Sequence, residues 1–182
     1  MDELIDILDS EGKLTGKTAM KSVAHKEGLF HQTVHIWFYN QNGEILIQQR
    51  GKNKATFPLL WDVSVAGHIG AGESIEVSAL REIEEEIGLR ISAQELQKIG
   101  VFKSIQKHND TLIDCEFHHT FLCELKVPIE QLTKQESEVE ALDFILLDNL
   151  NKALTKSVLS KKYVPHDELY YETVTKAIQN RL

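Results

Sequence analysis

The sequence is poor in cysteine: Cys115 and Cys123 are the only two in 182 residues. Two thiols make no disulfide framework. Both fall in one strand-like run at an even spacing, so they would share a face, too far apart along the strand to bridge. No apolar run approaches the ~20 residues of a membrane span. The opening Met1-Asp2-Glu3-Leu4 lacks the basic stretch and apolar core of a signal peptide. Positive charge is also scarce, with 20 Lys+Arg against 28 Asp+Glu and a net charge of -8. A chain that grips a nucleic-acid backbone needs the opposite balance. The expectation is a soluble, reduced, cytoplasmic protein, monomer or homodimer, with neither membrane nor nucleic acid as partner. The acidity says less about small phosphorylated ligands, because a bound metal reverses the local sign.

Hydrophobic residues make up 42% of the chain, which suits one core and one domain over residues 1–182. No repeats or low-complexity tracts occur. Strands are predicted over 4–9, 32–39, 44–50, 61–66, 101–106, 113–125 and 141–147. Asn40-Gln41-Asn42-Gly43 marks a hairpin. Polar loops are expected over 51–60 and 133–140, and a glycine-containing loop over 67–72. Helices are predicted over 74–87, stopped by Gly88, and over 148–156 and 167–180. Residues 1–30 read as an N-terminal extension and 148–182 as a C-terminal helical part. The hairpins break any regular βαβ alternation, so the expected class is α/β with a mixed sheet flanked by helices.

The helix over 74–87 carries the chemistry. Leu80, Ile83 and Ile87 cluster on one side and face a core. Glu82, Glu85 and Glu86 cluster on another, at i, i+3 and i+4. Such like-charge neighbours repel on a bare helix, and near its C-terminal half the dipole disfavours them further. A bland acidic helix intersperses basic residues; here only Arg81 does so. A hard divalent cation is the simplest reason to concentrate oxygens in this way.

The wider spacing is more specific. Gly67 is followed after five residues by Glu73, and seven residues later by Arg81-Glu82-Ile83-Glu84-Glu85-Glu86-Ile87-Gly88-Leu89. That fills every position of G-x5-E-x7-R-E-U-x-E-E-x-G-U, with U aliphatic. The chain therefore resembles the Nudix hydrolases. The resemblance implies an α/β/α sandwich and hydrolysis of a diphosphate linkage with Mg²⁺ or Mn²⁺ as cofactor. Glu82, Glu85 and Glu86 match its metal-binding glutamates, and Arg81 matches the arginine that orients them. Glu73 matches the first signature glutamate.

A narrower likeness runs from Leu4 to about Leu147. Trp61-Asp62-Val63-Ser64-Val65-Ala66-Gly67-His68 is similar to the same stretch of type 1 isopentenyl-diphosphate isomerases, which share the fold but move a double bond. By that resemblance Lys21, Arg50 and Lys54 grip a diphosphate. His25, His31, His68 and Glu116 match metal ligands, with Asp114 in place of a second glutamate. The two upstream histidines stand one residue closer together than in that pattern. His68 is assigned to substrate or loop support. Glu116, on a strand beyond the signature, completes a metal site or serves as base. His118 shares its face, while His108, His119 and His166 are given no role; Trp37, Phe57 and Trp61 read as core. A histidine–carboxylate set suits Mn²⁺ or Zn²⁺ better than Mg²⁺.

One position separates the two chemistries. The isomerases carry a catalytic cysteine immediately before the signature glycine, and here that residue is Ala66. A methyl group moves no proton. The leading expectation is a metal-dependent hydrolase of a nucleoside diphosphate derivative or a related small organic diphosphate. The alternatives are a prenyl-diphosphate isomerase or hydrolase, and a ligand-sensing module without catalysis.

Overall fold

A computed structural model describes residues 2–155 and 161–182. The organising element is strand β3, His31–Tyr39. It pairs in parallel with β8, Leu112–Glu124, and antiparallel with β6, Val65–His68. Its link to β4, Glu44–Arg50, is confined to Tyr39↔Ile45 beside the Asn-Gly turn. Beyond that point the strands part, and β4 pairs instead with β5, Trp61–Asp62, and β9, Val139–Leu146. The path β5-β4-β3-β8-β7 is completed by β7, Gln97–Asn109.

Side chains alternate across β3, and the two faces have different partners. Val34, Ile36 and Phe38 pack with Ala79, Ile83 and Ile87 of helix α2, Ile75–Ile87. Trp37 and Tyr39 pack with Leu150 of α3, Leu147–Thr155, and with Tyr170, Tyr171, Val174 and Ile178 of α4, Glu168–Gln179. Helices thus cover both faces of a mixed sheet, which is the α/β/α sandwich expected. Helix α2 starts where the sequence indicates: the Ser74 hydroxyl accepts from Val77 N, and Gly88 closes the helix at φ 68°.

Several boundaries differ from the sequence reading. Residues 61–66 form not one strand but β5 and β6, and β6 runs on through Gly67 and His68, which the sequence pattern places in a loop. Strand β7 starts four residues earlier than predicted, and β9 begins at Val139 inside the supposed polar loop. The N-terminal extension holds a hairpin of β1, Leu4–Leu8, with β2, Leu14–Met20, followed by α1, Lys21–Glu27. Strand β2 is almost wholly exposed, so no apolar alternation reveals it. The C-terminal end predicted for α3, Lys156, lies outside the described residues. No described helix is long and apolar enough to cross a membrane.

Candidate active site

The glutamates of α2 meet β6 at one point. Gly67 has no side chain because the Glu82 carboxylate occupies its place: a Cβ there would fall 1.9 Å from Glu82 Cδ. Arg81 ties the acidic groups together. Its Nε and one terminal nitrogen grip both oxygens of Glu73 at 3.1 and 3.0 Å, and the other terminal nitrogen reaches Glu82 at 2.7 Å and Glu85 at 3.3 Å. It also donates to the His68 carbonyl, locking the helix to β6. Hydrogen bonds from Arg81 hold the Glu73 carboxyl down at about 2, and Glu73 in turn supports the loop through Ser78 and Gly70 N.

Glu86 sits deeper. One of its oxygens accepts from Gln48 at 3.0 Å and from Ala66 N at 3.2 Å. Burial pushes its carboxyl up to about 8, and burial raises Glu82 as well. Buried carboxylates facing one cavity are stable as anions when a cation lies among them. The donor set is all oxygen, so a hard ion such as Mg²⁺ fits it.

A second group lies on the same cavity. His25 comes from α1, His31 from β3, His68 from β6 and Glu116 from β8. His25 Nε2 lies 3.3 Å from the Nε2 of both His31 and His68. Glu116 Oε1 lies 3.4 Å from His31 Nε2 and 3.6 Å from His68 Nε2. A regular tetrahedron with bonds of about 2.0–2.1 Å has edges of about 3.3–3.4 Å. These separations match it before any ion is considered. Nδ1 of His31 pairs with the Leu29 carbonyl at 2.9 Å, the outer contact that orients a ligating imidazole. Burial pushes His25 down to about 4 and lowers His68, which keeps both in the neutral, ligating form. Burial also opposes charge on His31, but Glu116 outweighs it and raises His31. Burial alone would raise Glu116; the His31 and His68 hydrogen bonds hold it well below the usual carboxylate range.

The remaining candidates fall as follows. Asp114 stands behind the cage, with Oδ2 2.8 Å from His108 Nε2 and Oδ1 3.8 Å from His25 Nδ1. Lys21, Arg50 and Lys54 all line the cavity, whose volume is about 500 Å³. Each already has an anionic neighbour: Lys21 with Glu3 at 3.6 Å, Lys54 with Glu138, and Arg50 with Asp62 at 2.9 Å. Arg50 also holds Thr56 through its side chain and carbonyl, bracing the loop between β4 and β5. Phe57, read as core, instead lines the cavity at φ 47° and packs edge-on against His108. Trp37 is core, 1% exposed. Ala66 presents only a methyl group to the cavity.

Sequence reasoning passed over His35 and His166. Both line the cavity beside His118. His35 Nδ1 pairs with Tyr170 Oη at 2.8 Å, and His166 Nε2 donates to Asp62 at 2.9 Å. The register carried a signal for part of this. On β3 and β8 the pairs His31↔Glu116, Thr33↔His118 and His35↔Thr120 are successive rungs of one face.

Comparison with known proteins agrees with this geometry. The NUDIX domain family model matches residues 29–167. An uncharacterized Nudix hydrolase of Clostridium acetobutylicum is 35% identical over 98% of both chains. Nudix hydrolase 3 of Arabidopsis thaliana is 34% identical over 91% of this chain, which spans 22% of that protein's length. The isopentenyl-diphosphate Δ-isomerase of Serratia proteamaculans is 32% identical over 67% of this chain and 66% of its own. A Deinococcus radiodurans crystal structure shares the fold at a TM-score of 0.70 and 17% identity, covering 98% of each chain. The chain belongs to the Nudix family and is a Nudix-type diphosphohydrolase related to the isopentenyl-diphosphate isomerases.

Proposed function

We propose that the protein is a metal-dependent hydrolase that cuts the diphosphate linkage of a small polar organic diphosphate, a nucleoside diphosphate derivative being the leading class. The observation that carries this reading is the pairing of the intact Arg81-braced glutamate cluster with a methyl group at position 66. The oxygen donors of Glu82, Glu85 and Glu86 suit Mg²⁺ or Mn²⁺, which when bound would neutralise phosphate oxygens and activate water. The nitrogen-rich set of His25, His31, His68 and Glu116 suits a softer ion such as Zn²⁺ or Mn²⁺.

The chain's own residues do the rest. Lys21 and Lys54 flank the cavity and draw a diphosphate into it. Arg50 holds the loop around Thr56 in place. Glu85 is half exposed, so its oxygens can accept a proton from water at the cavity mouth. The cavity wall is mostly polar; Ala55, Phe57, Ala66, Leu112 and Val164 are its few apolar members. A long prenyl tail finds little there to bury against.

The second reading, a prenyl-diphosphate isomerase or hydrolase, is favoured by the histidine cage and by the Serratia relative. A screen of nucleotides, nucleotide sugars, dinucleotide cofactors and prenyl diphosphates with Mg²⁺ or Mn²⁺, with the monophosphate products separated by ion-exchange chromatography, tests the proposal. Turnover of a polar diphosphate, abolished in Glu86→Gln with the fold intact, supports it. No cleavage of any compound overturns it, and cleavage of prenyl diphosphates alone favours the second reading.

A further inference from the structure

Behind the cage the same sheet face carries another set of imidazoles. His35 on β3, His118 on β8 and His166, just before α4, each bring one ring nitrogen within 4.8 Å of the others. His35 and His118 are 5% and 4% exposed. Their rings stack at 4.1 Å, and His166 meets both nearly edge-on.

The hydrogen bonds engage one nitrogen of each ring. Asp62 is an anion held by Arg50, so His166 Nε2 carries the proton it donates. Nδ1 of His118 lies 2.7 Å from Thr33 Oγ1 and 3.5 Å from Glu116 Oε2, and that carboxylate favours the proton on Nδ1. The Tyr170 hydroxyl accepts from Trp37 Nε1 at 2.9 Å. It keeps a further lone pair with which to accept from His35 Nδ1, 2.8 Å away. His118 Nε2 is left over, buried with no partner. Unpaired acceptors of this kind are costly unless something electron-poor lies among them.

We propose that His35, His118 and His166 form a second transition-metal site at the inner end of the cavity, one that takes a nitrogen-preferring divalent ion of the Zn²⁺ class. Three imidazoles with no oxygen ligand disfavour Mg²⁺. Each ring has the outer partner that ligating histidines use, namely Asp62, Glu116 and the Tyr170 hydroxyl. Glu116 links the two sites, with Oε1 in the cage and Oε2 beside His118. His166 lies outside any strand or helix and is held in place through Asp62.

Metal content of the full-length chain tests this. The protein is stripped with chelator, equilibrated with Zn²⁺ in excess Mg²⁺ to occupy the α2 glutamates, and desalted. Two zinc ions per chain are expected, falling to one in His166→Gln and to one in His25→Gln. Anomalous scattering at the zinc edge from crystals of the unsubstituted protein places the ions without any variant, and should show a peak among His35, His118 and His166. One zinc per chain with a single peak in the cage overturns the proposal, as does a second equivalent that survives His166→Gln.

Discussion

Gly67 and Glu82 occupy each other's space: the carboxylate of the helix residue lies where the strand residue would carry a side chain. The glycine of the signature is therefore a packing requirement of the metal cradle. Its backbone runs as ordinary strand and has no need of glycine's conformational freedom. In Gly67→Ala the new methyl group would fall 1.9 Å from Glu82 Cδ, so the carboxylate must swing out of the cradle. Displacing a catalytic group by about an ångström costs on the order of a hundredfold in rate. The expected result is a kcat lower by about that factor, with a circular-dichroism spectrum like that of the unsubstituted protein.

Arg81 joins three glutamates and the His68 carbonyl from one planar head. Lysine keeps the charge but offers its donors from one point, so it cannot span the same acceptors. Arg81→Lys is expected to lower kcat about 10- to 100-fold and to raise the Mg²⁺ concentration needed for half-maximal rate. The loss of stability should be small, because the head is part-exposed and solvent screens it. Steady-state kinetics at several Mg²⁺ concentrations, with a thermal melt alongside, measures both.

The two halves of the site differ in how far the sequence reveals them. The glutamate cradle lies within the end of β6, one loop and one helix, so its spacing survives in the linear order from Gly67 to Leu89. Ser74 and Gly88 mark the helix ends by local rules that tertiary contacts do not override. His25, His31 and Glu116 come from three separate elements, and only the likeness to the isomerases brings them together on paper. Helix α1, which carries His25, has seven residues and no side-chain cap, too short to stand out by periodicity. His35 and His118 meet because β3 and β8 run parallel, and His166 meets them because α4 docks through Tyr170. No single-sequence pattern encodes those pairings. Asp62 is legible only as part of a strand, and its roles in holding Arg50 and His166 emerge with the fold.

Ala66 predicts an absence of isomerisation. Its methyl group replaces the thiol of the isomerases, and Cys115 and Cys123 lie elsewhere on β8. Burial raises the Cys115 thiol and pushes that of Cys123 up to about 12, so neither supplies a thiolate at neutral pH. Isopentenyl diphosphate incubated with the protein in D₂O should gain no deuterium by mass spectrometry. Any incorporation above a protein-free control would show that another group moves the proton.

Glu86 links metal, proton and stability. Burial raises its carboxyl to about 8, above the ordinary value of 4.5 that applies in the unfolded chain. The folded state therefore holds this proton more tightly between those two values. Without metal, the contribution of Glu86 is fully present below about 4.5 and is lost as pH rises through about 8. Glu82, also raised by burial, adds in the same sense. His25 works in the opposite sense, since burial lowers it to about 4, but its effect is confined below its ordinary value of 6.5. The interval from pH 6.5 to 8 thus excludes His25, while His31, raised by Glu116, adds there in the same sense as the carboxylates. In chelator, the midpoint of thermal unfolding should fall across that interval, and Mg²⁺ should reverse most of the fall by binding the ionised form. Glu86→Gln removes the titrating group while keeping the shape and the contact to Ala66 N. It should lessen the pH dependence, melt higher than the unsubstituted protein at pH 8 in chelator, gain little from Mg²⁺, and turn over no substrate. A pH slope in the variant equal to that of the unsubstituted protein would assign the titration to another group.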